Sequence, residues 1–314
     1  MKYSGKNSRL LITVLCLLTL SFAAHAQEVE KQEEFNKTYP LLNNQGVSVT
    51  NRFGKVEVQN WNQKEVKVAV TIIARAGNDT SAQNILDAIT IESKDGNPVA
   101  FTTHIEANNF NNASGTSYRR ATKSGRKAIE INYVVYLPES NKLDINNKFG
   151  NTFVLSRKGS TNINQSFGDL TVGDLPDADS ITVKFGKLTA GTLNNAAISI
   201  AHSYVNIKAL SGSINGEFDF CKQIDVGLTN ELKKLDLKFS FSKNITITVP
   251  PAIDACFNIE TRYSKVNNTT PLKIILTTPE KERGPAIKRT YSGQAGSGKV
   301  SIKMYSNFGD IILK

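Results

Sequence analysis

From Leu41 onward the chain alternates apolar and polar residues. Val47 and Val49, Val56 and Val58, and Val66, Val68, Val70 and Ile72 each keep a period of two, the mark of strands with one buried face. Trp61 falls between two of these runs, as a packing anchor under a turn would. Residues 27–40 interleave Glu28, Glu30, Glu33 and Glu34 with Lys31 and Lys37 and read as a polar lead-in without a core face. One short helix is predicted near residues 81–89, capped by Thr80 or Ser81, with Ile85, Leu86 and Ile89 as its apolar face. Asp95-Gly-Asn-Pro98 reads as a turn between a strand beginning at Ile89 and a strand over 99–105. Residues 108–127, rich in Asn, Ser, Gly and Thr, read as a long mobile loop. Its Arg119, Arg120, Lys123, Arg126 and Lys127 make it either a contact surface or a solvated loop. A strand over 129–138 ends at Pro138.

Beyond Asn141 a phrase recurs: an apolar pair, a polar stretch, an aromatic, and usually Gly. It reads Leu143-Asp-Ile145-Asn-Asn-Lys-Phe149-Gly150, then Ile163-Asn-Gln-Ser-Phe167-Gly168, then Ile181-Thr-Val-Lys-Phe185-Gly186. An earlier copy stands at Val47-Ser-Val49-Thr-Asn-Arg-Phe53-Gly54 and a late one at Ser306-Asn-Phe308-Gly309. Phe149, Phe167, Phe185 and Tyr204 are spaced by 18, 18 and 19 residues, and Phe241 and Tyr263 by 22. Four residues before most markers stands an apolar residue (Ile145, Ile163, Ile181, Ile200, Leu237, Ile259), a constancy far above chance at 39% hydrophobic composition. A unit of this length is too short for a domain and matches one coil of a stacked array. The expected fold is therefore all-β: a parallel β-solenoid over 141–314, preceded by a β-rich segment over 41–140 that carries the helix. In that fold the aromatic fills a recurrent core position and the following Gly supplies a positive φ. Asn147, Lys148, Gln165, Ser166 and Lys184 would then face outward, suited to weak hydrogen bonding with glycans or a protein partner.

The N-terminus changes the picture of where this happens. Lys2, Lys6 and Arg9 precede an apolar run from Leu10 to Leu20, and Ala24-His25-Ala26 supplies a cleavage site, so residues 1–26 read as an export signal. Leu15 before Cys16 departs from a lipobox, which argues against a lipid anchor. No later run approaches the roughly 20 apolar residues of a membrane span. The formal charge is +10, and cleavage removes three cations and no acid, leaving +7. A basic exported chain can meet acidic polysaccharide, lipopolysaccharide or phospholipid headgroups. The alternative is that its Lys and Arg line solvated strand faces and discourage edge pairing. Nucleic acid is excluded as a partner by export and by the lack of a basic run. Cys221 and Cys256 lie 35 residues apart, two coils of the expected array, too far for a disulfide. They read as two buried free thiols.

Candidate chemistry is sparse. His104 and His202 sit in separate segments, and no Cys or His spacing suits zinc. Neither a Gly-x-Ser-x-Gly elbow nor a phosphate-cradling glycine loop occurs. Asp174, Asp177 and Asp179 surround Pro176, but the alternating calcium loop with its distal Glu is missing, so they read as turn formers. No catalytic, cofactor-binding or metal-binding residue is assigned, and no cofactor is expected.

The exported, Asn-rich, Phe-Gly-punctuated strand repeats resemble the putative adhesin families of bacterial envelopes, whose β-strand repeats are related to the head domains of autotransporter adhesins. The resemblance spans roughly Leu41 to Lys314 and includes the phrase Asn51-Arg-Phe-Gly-Lys-Val56. It implies a right-handed parallel β-helix or β-roll, a periplasmic or cell-surface location, and no established catalytic residue. The function expected is that of a non-enzymatic adhesin or binding scaffold, its partner an unknown protein or an acidic glycan or envelope surface. The alternatives are a periplasmic sensor tied to sigma and anti-sigma signalling, and a glycan-active enzyme with paired carboxylates in a cleft.

Overall fold

The alternating runs do become strands, in the computed structural model of the protein, which describes residues 28–106, 128–278 and 287–314. The segments expected to form an export signal (1–26) and a basic loop (108–127) lie outside the described residues. Val29–Pro40 (β1), Gly46–Arg52 (β2), Val56–Trp61 (β3) and Glu65–Ala76 (β4) precede the helix Asp79–Asp87 (α1). Ile89–Lys94 (β5), Val99–Ile105 (β6) and Ile129–Pro138 (β7) follow it. Then come Lys142–Lys148 (β8), Thr152–Val154 (β9), Thr161–Ser166 (β10), Leu170–Val172 (β11), Ser180–Lys184 (β12), Lys187–Asn194 (β13) and Ala197–Ala201 (β14). Two long strands, Tyr204–Asp219 (β15) and Gln223–Ser240 (β16), lead into Ile245–Thr248 (β17), Ala255–Arg262 (β18), Val266–Asn268 (β19) and Ile274–Leu276 (β20). Lys288–Ala295 (β21), Val300–Asn307 (β22) and Ile311–Leu313 (β23) complete the order.

Two parallel series of strands form. In the first, β6, β2, β8, β10, β12, β14 and the second halves of β15 and β16 lie side by side, followed by β22 and β18. In the second, β7, β3, β9, β11, β13 and the first halves of β15 and β16 are followed by β17, β23 and β19. The 18-residue repeat is thus a register of parallel pairing: Ile145 lies beside Ile163, and Ile163 beside Ile181.

The β-solenoid expected from that repeat is nevertheless corrected. β1 with β4, β4 with β7, β5 with β6, and β21 with both β18 and β20 are antiparallel. β15 and β16 also run from one series into the other, so the described strands join into one 23-stranded mixed sheet, nearly closed into a barrel. The repeat constrains only neighbouring strands. It does not encode the antiparallel ribbons that bound both ends.

Inside, side chains stack in columns. Phe101, Val49, Ile145, Ile163, Ile181 and Ile198 follow one another in register and are all buried. Gly216 interrupts this column, and a Cβ there would crowd the rings and methyls of Phe218 and Leu237, which occupy its place. Burying each large aliphatic contributes about 1.5–3 kcal/mol before entropy is counted.

The polar lead-in proves to be a strand. Every residue of β1 is paired along β4, and Phe35 and Tyr39 rest half-buried against the core. Its charges sit on an edge, where Arg75 Nε donates to Glu30 at 2.7 Å and Arg75 Nη1 to Glu130 at 2.6 Å. The helix is where the sequence places it, shifted by two residues. Asn78, not Thr80 or Ser81, is the N-cap, its Oδ1 accepting from Ser81 N at 2.8 Å, and Ala82, Ile85 and Leu86 are buried. Trp61 anchors its turn by donating Nε1–H to Glu65 O at 2.8 Å. Cys221 and Cys256 are free; Cys221 is buried as expected, and Cys256 is exposed. Among the described residues no helix is long and apolar enough to cross a membrane.

Candidate functional site

At the corner between the two strand series the aromatics of the repeat come together, on the outside of the sheet. Phe53, Phe149, Phe167, Phe185, His202, Phe220, Phe241, Phe308 and Tyr263 form a row of nine rings. Successive centroids are 4.6–5.2 Å apart and successive planes are inclined by 3–15°. Phe167, Phe185, Phe220, Phe241, Phe308 and Tyr263 remain 44–57% exposed. The expected core position for the aromatic is therefore corrected.

The cause lies in the backbone. All nine ring residues have positive φ, from 50° to 66°. Alternation alone would turn the side chain of residue 167 inward, after Ile163 and Gln165. The left-handed conformation at the corner turns it out instead. Such a conformation costs an L-residue about 1–2 kcal/mol, and ring stacking offsets it at about 0.5–1.5 kcal/mol per pair. The ring residue's N–H still donates across layers, as Phe149 N does to Ser166 O at 3.0 Å and Phe167 N to Lys184 O at 2.9 Å.

Glycine follows for a different reason than expected. None of Gly54, Gly150, Gly168 and Gly186 carries the positive φ; a Cβ at Gly150, Gly168 or Gly186 would overlap the carbonyl of the glycine one layer back. Layers touch backbone to backbone here.

Two of the residues expected on the polar face are inside. Asn147 and Gln165 are fully buried and their amides knit the corner. Asn147 Nδ2 donates to Gly54 O at 3.2 Å, and Gln165 Nε2 donates to Gly150 O at 2.5 Å. Further along, the same inward position becomes Val183, Ile200, Phe218 and Phe239. Lys148 and Lys184 are exposed as expected.

Cations flank the rings on both sides. Arg52, Lys148, Lys184 and Arg262 immediately precede ring residues and belong to one cross-strand row. Lys55, Lys187, Lys222, Lys243 and Lys265 stand two residues after ring residues, on the far side of the corner. All nine are exposed, against three acids at equivalent positions, Asp169, Asp219 and Asp310. Two of those acids are engaged by backbone: Asp169 Oδ1 accepts from Lys187 N, and Asp310 Oδ1 from Lys265 N, both at 2.9 Å. Arg52 lies 5.2 Å from the Phe53 centroid, and Lys148 lies 5.3 Å from that of Phe149 and 6.0 Å from that of Phe167. Counted over these ring-flanking positions, the strip carries a local excess of six positive charges.

Beside it lies a shallow cleft of about 480 Å³, lined by Lys55, Glu57, Val58, Gln59, Phe153, Val154, Leu155 and Thr171. Phe153 and Leu155 are exposed there. Its single carboxylate, Glu57, is held below its ordinary range by the hydrogen bond from Gln59 and by Lys55, so it stays ionised rather than serving as an acid.

The other residues weighed from sequence do not converge. His104 faces Glu92 at 2.7 Å, whereas His202 is a member of the ring row. Asp174 Oδ1 accepts from Thr192 N at 2.7 Å, and this bond to the next layer is the main cause of its lowered pKa. No group of three or more His, Cys, Asp or Glu side chains capable of holding a metal occurs among the described residues. Sequence reading passed over Arg157. Its guanidinium is buried, donates to Asn141 O and Pro138 O, and is pulled down to about 10 by desolvation.

The chain resembles a putative adhesin from Bacteroides fragilis at 10% identity, over 90% of this chain and 97% of that one, with a TM-score of 0.35. It also resembles a putative cell adhesion protein from Clostridium sporogenes (13% identity, 90% and 99% coverage, TM-score 0.21). A third likeness is to a putative lipid binding protein from Parabacteroides distasonis (11%, 90% and 96%, TM-score 0.35). TM-scores this low leave these as resemblances and nothing more. No family model and no curated protein matches the chain.

Proposed function

We propose that this chain is a non-enzymatic binding protein of the cell envelope, an adhesin or binding scaffold that works through an extended outer surface. The row of nine stacked rings, seven of them exposed and Phe53 and Phe149 half-buried, with cations along both sides supports this reading most directly. Contiguous apolar surface of this kind is a mark of interaction sites. The N-terminal export pattern supports an envelope location. The lining of the cleft, with one ionised carboxylate, supports binding rather than acid–base work.

The test is a binding assay of purified full-length protein against envelope fractions, a glycan array and envelope protein extracts, alongside protease shaving of intact cells. Saturable binding to at least one class is expected. Absence of binding to all three overturns the reading.

A further inference from the structure

We propose that the ring row and its cationic flanks form a docking face for an anionic lipid surface, the rings entering the headgroup boundary and the cations meeting lipid phosphates. This deepens the envelope-binding reading and rests on it. The choice of lipid follows from ring geometry. A sugar binds an aromatic by laying its apolar face on the ring face, and each interior ring here has both faces covered by neighbours at 4.6–5.2 Å. Only the ring edges are open, and at every interior ring except His202 these are C–H edges. A continuous line of ring edges offers little to a polar glycan and much to the interfacial zone of a bilayer, where amphipathic surfaces bury their apolar side.

Shape and charge agree with that choice. Nine layers spaced about 4.8 Å make a strip about 38 Å long along the row, enough to lie across several headgroups. Four exposed cations stand on one side and five on the other, so the apolar line is bracketed rather than bordered. Asp169, Asp219 and Asp310 at the equivalent positions lower the nine cations to a net excess of six, and Asp169 and Asp310 are held by backbone N–H groups. Juxtaposed cations and apolar edges of this kind are attracted to phosphate-bearing leaflets over about a Debye length.

The experiment is vesicle flotation of the full-length protein with phosphatidylcholine alone and with phosphatidylcholine mixed with phosphatidylglycerol. Binding is expected to the mixed vesicles, to fall as salt rises, and to be weak on neutral vesicles. Each lost cation should weaken binding by roughly fivefold, so the double charge reversal Lys148→Glu with Lys184→Glu should abolish measurable flotation. Lys142→Glu, at the opposite end of β8 from Lys148, should leave it unchanged. Phe167→Ser with Phe185→Ser should lower binding on mixed vesicles while retaining its salt dependence. Because that pair touches the fold, the lysine variants decide the matter. Flotation indifferent to Lys148 and Lys184, or equal on both vesicle types, overturns the proposal. Capture by an acidic polysaccharide without vesicle binding also overturns it and leaves the envelope-binding reading standing. Failure with vesicles and with every envelope fraction overturns both.

Discussion

The column Val49, Ile145, Ile163, Ile181 and the row Phe53, Phe149, Phe167, Phe185 have the same pairing register, one layer to the next, on opposite sides of one sheet. The column tolerates exchange. Val, Ile, Leu and Met all appear in it, and even Gly216 is accepted because a neighbouring ring fills the space. The row is stricter. Eight of its nine members are Phe or Tyr and the ninth is His202, which keeps the planar shape without the hydrocarbon. Burial selects for volume, whereas a strained corner beside another strained corner selects for a flat side chain that can stack. Regularity along a sequence therefore does not report which side of the sheet a residue occupies.

This contrast can be broken most severely where the two regions meet. Gly168→Val puts a side chain where the Gly150 carbonyl lies, and the layers must separate. Loss of the cooperative unfolding transition is expected by circular dichroism, a cost beyond about 4 kcal/mol. Next comes the inner column: Ile163→Ala should destabilise by about 2–5 kcal/mol in denaturant titration and leave vesicle flotation intact. The outer row should cost less. Phe167→Ala loses two stacking contacts and should destabilise by about 1–3 kcal/mol. Phe167→Gly should be the more stable of the two by about 1 kcal/mol, because glycine accepts φ near 55° freely. If alanine proves better than glycine there, the left-handed corner is not what turns the ring outward.

The smallest effect concerns the exposed Asp174. Its carboxyl is held below the ordinary 3.8 by Thr192 N–H, so ionised Asp174 stabilises the folded chain above that pH, and the contribution fades as pH falls through the lowered value. Asp174→Asn should therefore lower Tm slightly at neutral pH, with the gap to the unmodified protein closing in acid. A gap that widens on acidification would reverse the sign assigned here.

Much of the strand map was legible because period two and the apolar residue four before each aromatic survive in the fold: Ile145, Ile163 and Ile181 are buried as their spacing implies. The direction of the aromatics was not legible. It depends on φ at a single residue, which composition does not encode, and the neighbouring glycine offered a plausible but wrong bearer. Membership of the row follows only in part from the spacing of Phe and Tyr. The spacing points to Tyr204 where His202 stacks, since a search for Phe or Tyr passes over a histidine 17 residues after Phe185. The mixed topology was hidden for a related reason. β1 looks like a polar tail because an edge strand over an existing sheet needs only a few residues, Val29, Phe35 and Tyr39, to touch the core. The cationic strip is not legible in the sequence because its members are scattered from Arg52 to Lys265 and adjoin only after pairing.

The position of β22 and β23 has a bearing on the order in which this molecule can assemble. They are wedged between β16–β17 and β18–β19, which the chain visits earlier and in immediate succession. Until residues 300–313 arrive, the layer ending at Phe241 is paired on one side only, by β15, and the layer ending at Tyr263 lacks its parallel neighbour and has only antiparallel β21. Growth from β8 can proceed one layer at a time, each closing on a segment about 18 residues behind it, but the far end waits for a loop of some 60 residues to return. During that wait β16 presents an unpaired edge of N–H and C=O groups, the most adhesive surface a sheet has. The finished protein hides it under its own final strands, as a zip fastener hides its last teeth beneath the slider.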